Sequence, residues 1–166
     1  MFRFVAVFTT LLTAFGVFFF AYFVGTDAFE RYLELNAEVS GAILRGLGAD
    51  ARVTGTSIGS SAGALQIRHG CDAIFPTGLF VIAVIASPVR FRAKLPGILL
   101  GSVVLLSINL IRIVSLHYTQ VYIPKWFHVM HVDVWQPAFI FMALLFWVVW
   151  AVGATKAAQV PEHVHS

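Results

Sequence analysis

The chain has 166 residues, of which 59% are hydrophobic and only 11% charged, with a mean hydropathy of +0.86. Soluble domains carry about 25% charged residues, so this composition excludes an ordinary water-soluble fold and predicts an integral membrane protein. The net charge of +3 does not imply nucleic acid: the basic residues stand singly or in one short loop, where they read as topology signals.

Phe4 to Val24 is an apolar, Phe-rich run behind Arg3. It is about 20 residues, long enough to span, and no small-x-small cleavage pattern ends it, which favours an uncleaved first span over a signal peptide. From Thr26 to Gly48 acids (Asp27, Glu30, Glu34, Glu38) alternate with apolar residues (Phe29, Leu33, Ile43, Leu44) at helical spacing. That pattern predicts an amphipathic helix lying on the membrane or capping the bundle, with a solvated surface helix equally open. Arg52–Ile58 and Ala64–Ile67 then read as two short strands around the Gly/Ser turn 59–63, a hairpin that delivers the chain to Cys71.

The second span is expected over Cys71–Ser87, with Pro76 near its start and Pro88 ending it. A tight loop with Arg90, Arg92 and Lys94 leads into the third span, Leu95–Leu116, where Ser102, Asn109 and Arg112 fall along one side. An aromatic connection, His117–Asp133, follows. Asp133 is expected to cap the fourth span, and Pro137 to sit in its first turn, where a missing N–H costs least. The expectation is an all-α polytopic membrane protein forming a single domain over 1–166. Its four transmembrane helices lie at about 4–24, 71–87, 95–116 and 134–153. An extracytoplasmic segment, 25–70, carries the amphipathic helix and the short β-hairpin.

The cation-only loop at Arg90, Arg92 and Lys94 predicts a cytoplasmic face. With alternating spans Arg3 and Lys156 fall on the same side, and so do both termini. Seven of the eight acids (Asp27, Glu30, Glu34, Glu38, Asp50, Asp72 and Asp133) fall opposite. Arg112 lies 17 residues beyond Leu95, about 25 Å at roughly 1.5 Å per residue, near the outer edge of the bilayer core. Cys71 opens the second span from that side, and His128 and His131 precede the fourth. Topology therefore predicts a thiol, a guanidinium and an imidazole at one face.

Cys71 is the only cysteine, so it forms no intramolecular disulfide. A nucleophilic thiol must ionise, and a helix N-terminus, the Arg112 cation and a histidine base would each help. Asp72 opposes ionisation unless it pairs with Arg68 or is directed elsewhere. Each residue also has an ordinary reading. A buried cysteine can be inert packing, and an arginine at a helix end can snorkel to headgroups. Asn109 can bridge helices; Tyr122, Trp126 and Trp135 suit an interfacial belt, and His117, His163 and His165 suit an interface. Two rival functions stay open. Cys71, His128 and His131 could ligate a metal or haem, or the chain could be a non-catalytic membrane scaffold.

The run Ala64-Leu65-Gln66-Ile67-Arg68-His69-Gly70-Cys71-Asp72-Ala73-Ile74 resembles the approach to the nucleophile in the exosortase/archaeosortase family. Asn109-Leu110-Ile111-Arg112-Ile113 resembles that family's Asn-x-x-Arg segment, and His131 matches the histidine opening its last span, with His128 as the alternative. The likeness covers roughly residues 50 to 152 and suits the compact, exosortase H-like members. It departs in having Asp72-Ala73 where many relatives have Ser-Gly, and in lacking the extra spans of longer members. The resemblance implies a cysteine protease/transpeptidase in the cytoplasmic (inner) membrane of a bacterium, with its active site facing the exterior. Its partners would be exported proteins with a C-terminal sorting signal (a short motif, a transmembrane helix and a basic tail), an unidentified acceptor and the lipid bilayer. Cys71 would be the nucleophile, Arg112 the thiolate or oxyanion stabiliser and His131 the general base and acid. Asn109 and Asp72 would support them, with no cofactor or metal required.

Overall fold

The computed structural model describes residues 2–61 and 63–159; the tail histidines His163 and His165 lie outside them. Three helical segments are long and apolar enough to cross a membrane: Phe2–Phe23, Phe91–Tyr122 and Pro124–Lys156. The first is α1 (Phe2–Phe18) running into a π-helical turn, Phe19–Phe23. The second is α4 (Phe91–Tyr122). In the third, a 3-10 turn and a π-helical stretch, Val129–Trp135, lead into the last helix, α5 (Gln136–Gln159).

The second expected span is shorter than the sequence suggested. Its helix, α3, covers only Ile74–Ala86, 13 residues, about 20 Å at 1.5 Å per residue against a hydrocarbon core of about 30 Å. It starts late because Asp72 Oδ1 accepts the Ile74 N–H (2.8 Å) and turns the chain into the helix there. It stops early because Ser87, ahead of Pro88, is extended (ψ 138). Cys71 therefore stands in a turn before the helix instead of opening it.

α2 (Asp27–Gly46) is capped by Thr26, whose Oγ1 accepts the Phe29 N–H (3.2 Å). It buries Phe29, Leu33, Asn36, Ala37, Ser40 and Leu44, and packs on α4 and the sheet. Of the two membrane-associated readings, it caps the bundle. The expected hairpin is instead a three-stranded antiparallel meander, β1 (Arg52–Thr54), β2 (Ser57–Ser60) and β3 (Gly63–Gln66). Gly55, at φ 58, opens a two-residue turn inside the predicted first strand and divides it. The register sets Val53 opposite Ile58 and Ile58 opposite Leu65, a row of apolar side chains directed into the core.

Apolar packing gathers at the two ends of the bundle. One cluster joins Phe19, Phe29, Leu33, Leu44, Ile58, Ile67, Cys71, Ile113 and Leu116, tying α1, α2, the sheet and the second half of α4 together. The other joins Phe80, Val84, Leu105 and Ala143 on α3, α4 and α5. Arg90, Arg92 and Lys94 enter α4 at this second end, where Phe4 stacks on Trp147 (5.6 Å) and Trp150 Nε1 donates to Ala93 O (3.3 Å).

Candidate functional site

The turn carrying Cys71 is built from two left-handed residues, Gly70 (φ 90) and Ala73 (φ 58). Glycine takes that conformation freely; alanine is rarely left-handed, and such strain persists only where the surroundings hold it. Three side chains hold it here. The Asp72 carboxylate accepts the Gly70 N–H (2.7 Å) and the Ile74 N–H (2.8 Å), closing the turn on both sides. Asn109 Nδ2, from α4, donates to the Cys71 carbonyl (3.0 Å). Tyr32 Oη, from α2, donates to the Asp72 carbonyl (2.6 Å). Asp72 is thus directed to backbone donors, and Arg68 pairs with Gln66 Oε1 (2.6 and 2.9 Å) instead of with Asp72.

His131 reaches Cys71 from the π-helical stretch before α5. Its Nδ1 and Nε2 lie 3.6 and 3.8 Å from Sγ, and its ring stacks on Phe127 (5.7 Å). Pro137 accounts for the wide turn: it has no N–H, and its ring would clash with a carbonyl one α-helical turn back. The wide turn continues the helix through Asp133, which is exposed and within that stretch instead of capping α5. His128, one turn earlier, is exposed, so the imidazole beside the sulfur is that of His131.

Arg112 completes the group. It is 1% exposed, its guanidinium lies 5.4 Å from the centre of the Phe139 ring, and its Nε and Nη2 have no hydrogen-bond partner. Among the described residues the one ion pair is Arg52–Asp50, at 3.8 Å on the surface, so the Arg112 charge has no carboxylate in contact. Burial pushes the Cys71 thiol up from its ordinary value; Arg112 pulls it partly back, and Asp72 adds to the rise. Cys71 thus stands with an imidazole and a guanidinium at hand.

Sequence reading missed Tyr32, Asn36 and Phe139. Asn36 Oδ1 accepts from Asn109 Nδ2 (3.4 Å), and Asn36 Nδ2 donates to Tyr32 O (2.8 Å), linking α2 to α4 and to the turn. Burial pushes the Tyr32 phenol up, which keeps its proton in place for donation. A signal existed: Tyr32 and Asn36 are polar residues on the stripe of α2 that carries Phe29, Leu33 and Ala37. His117, expected at an interface, is instead 2% exposed, and its Nδ1 has no partner. Ser102 is half-buried, apart from the buried pair Asn109 and Arg112. No group of three or more His, Cys, Asp or Glu side chains suited to a metal occurs among the described residues. Compared with known proteins, the chain matches no family model, no curated protein and no solved structure.

Proposed function

We propose that this chain is a membrane-embedded cysteine protease/transpeptidase of the exosortase type. The observation that carries the reading is the meeting of Cys71, Arg112 and His131 from three separate segments, the sulfur and the guanidinium buried and the imidazole half-buried beside the sulfur. A solitary packing cysteine does not call for a strained turn held from three sides, nor for a buried cation without a partner.

The steps follow from the residues present. His131 takes the Cys71 proton as the sulfur attacks a peptide carbonyl, forming a C–S bond and an oxyanion. Arg112 stabilises that oxyanion, and the thiolate before it. The intermediate collapses by breaking the C–N bond; His131 returns the proton to the leaving amine, and a thioester remains on Cys71. Water or an acceptor amine then attacks the thioester, yielding the acid or a new amide and restoring the thiol. The substrates are exported proteins with a C-terminal sorting signal, whose own membrane helix brings the scissile bond to this end of the bundle.

The orientation belongs to the same reading. Arg90, Arg92 and Lys94 lie at the end of the bundle opposite Cys71, and the positive-inside tendency makes that end cytoplasmic. α3 leads from the Cys71 turn to that loop, which makes it a short fourth crossing and puts Arg3 and Lys156 on the cytoplasmic side of a bacterial inner membrane. Metal or haem ligation is the weaker alternative, because the geometry offers Cys71 and His131 as two donors while His128 stands apart.

Co-expression with a protein bearing a sorting signal tests the proposal. Cys71→Ala and Arg112→Lys should each abolish processing while the protein still inserts; the lysine keeps the charge but loses the planar fork. A thioester-linked substrate fragment should be trapped on Cys71. Normal processing by Cys71→Ala ends the enzymatic reading and favours a scaffold.

A further inference from the structure

A cavity of about 230 Å³ lies beside the catalytic group without containing it. Arg112 is in its wall, as are Asp72 and Ala73 of the turn, but neither Cys71 nor His131 is. Its other sides are mostly apolar: Phe19 and Phe20 from the π-helical turn after α1, Phe75 and Pro76 from the first turn of α3, and Phe139 and Ile140 from α5, with His69 and Gln136 as the further polar groups in the wall. α1 and α5 both pack on α3. At the cationic end they are joined by the stack of Phe4 on Trp147; at the other end this cavity separates them.

We propose that the cavity is a specificity subsite that receives one large apolar side chain of a substrate segment entering between α1 and α5. This rests on the catalytic reading above and adds to it the kind of residue that flanks the scissile bond. Size comes first: small-molecule sites run to about 300–1,000 Å³, so this smaller space suits a single side chain better than a cofactor or a lipid tail. Wall chemistry comes second. Aromatic and aliphatic surfaces reward burial of an apolar group, and Pro76 adds no N–H needing a partner. The unpaired Nε and Nη2 of Arg112 come third. A peptide carries a carbonyl oxygen within one residue of its side chain, so a side chain seated here brings an acceptor to the buried guanidinium. Without that acceptor two nitrogens of the buried guanidinium stay unpaired.

The single cysteine gives the test an unambiguous readout. In detergent-solubilised full-length protein, Cys71 is alkylated with acetyl-leucyl and acetyl-alanyl chloromethyl ketones, and each rate is divided by that with iodoacetamide. The sulfur displaces chloride, forming a C–S bond and releasing the thiol proton, so the two ketones differ only in the side chain offered. The leucyl reagent should react at least about tenfold faster than the alanyl one, the discrimination that a few methylenes supply in an apolar pocket. Ile140→Trp, at a rim residue 45% exposed, should fill the space and erase the preference. Phe20→Ala, at a rim residue 58% exposed, should widen it and move the preference toward a naphthylalanyl reagent. Equal leucyl and alanyl rates in the parent protein, or a preference retained in both variants, overturn the subsite and leave the catalytic reading standing. Failure of both ketones to label Cys71 where iodoacetamide labels it overturns the two together.

Discussion

The two ends of the bundle differ in how their polar atoms are met. At the cationic end rings lie directly over glycines. A methyl group on Gly101 would run into the Phe80 ring, and one on Gly97 into the Trp150 indole. The polar atoms there are answered: Trp147 Nε1 donates to Ser87 Oγ (2.9 Å) and Ala83 O (3.1 Å), and Ser87 Oγ donates to Ala83 O (2.8 Å). At the other end a left-handed alanine and a buried unpaired guanidinium sit in one group of side chains beside a cavity with polar groups in its wall, whereas the cavity at the cationic end, between Phe80, Gly97, Gly101 and Trp150, is lined by apolar residues. Helices that share a membrane gain nothing by burying apolar surface against one another, so close packing has to hold them together. Rings seated on glycines supply that, and the Cys71 end adds polar side chains that hold its turn through backbone hydrogen bonds.

Replacing Arg112 should separate the two ends most sharply. Arg112→Met fills similar space without charge, and exchanging an uncompensated buried charge for an apolar group is often neutral or stabilising. Substrate processing should fall by about 10²–10³, the loss seen when a positioned oxyanion donor is removed. The melting temperature in detergent should stay level or rise. The same variant should move the Cys71 titration. Burial already raises the thiol and Arg112 opposes that rise, so iodoacetamide labelling in the parent should keep climbing with pH beyond the ordinary thiol range. In Arg112→Met the whole profile should shift to still higher pH. A shift downward would mean that the guanidinium does not act on the sulfur.

Gly101→Ala is the reciprocal experiment. The new methyl group meets the Phe80 ring, and overpacking of this kind costs about 1–3 kcal/mol. Thermal unfolding should occur earlier, while iodoacetamide should label Cys71 in the folded fraction at the parent rate. A changed rate would show that the two ends are coupled through α3 and α4.

How much of this was legible in the sequence differs by residue. Composition predicted a membrane protein, and hydropathy placed the three helical segments long and apolar enough to span, because long apolar runs leave little choice of conformation. Alternating spans predicted Cys71, Arg112 and His131 at one face, and His131 lies 3.6 Å from the sulfur with Arg112 close enough to act on it. The late start of α3 was not legible, since it depends on the Asp72 carboxylate choosing the Ile74 N–H, a local hydrogen bond that competes with helix propagation. Nor was the division of the first strand, which turns on one left-handed glycine, Gly55. The cavity was out of reach as well, because its walls come from the π-helical turn after α1, the Cys71 turn, α3, α4 and α5, and no spacing along the chain connects them.

The smallest expected effect falls on the residue least visible in the sequence. Tyr32 makes no hydrogen bond to the side chains of Cys71, Arg112 or His131, yet its hydroxyl holds the Asp72 carbonyl at 2.6 Å, one residue from Cys71. Tyr32→Phe keeps the ring in the α2 interface and removes that one hydrogen bond, worth about 0.5–1.5 kcal/mol of stability. If Tyr32 positions the turn, the loss should reach the sulfur: kcat for substrate processing should fall several-fold with KM unchanged, and iodoacetamide labelling of Cys71 should change with it. If Tyr32 only packs, stability should drop by the same amount while both rates stay at parent values. Asn109 provides the internal comparison, because it holds the Cys71 carbonyl itself (3.0 Å) and lies on α4 beside Arg112. Asn109→Ala should therefore depress kcat more than Tyr32→Phe does. The reverse order would place control of the turn in α2, outside the spanning helices.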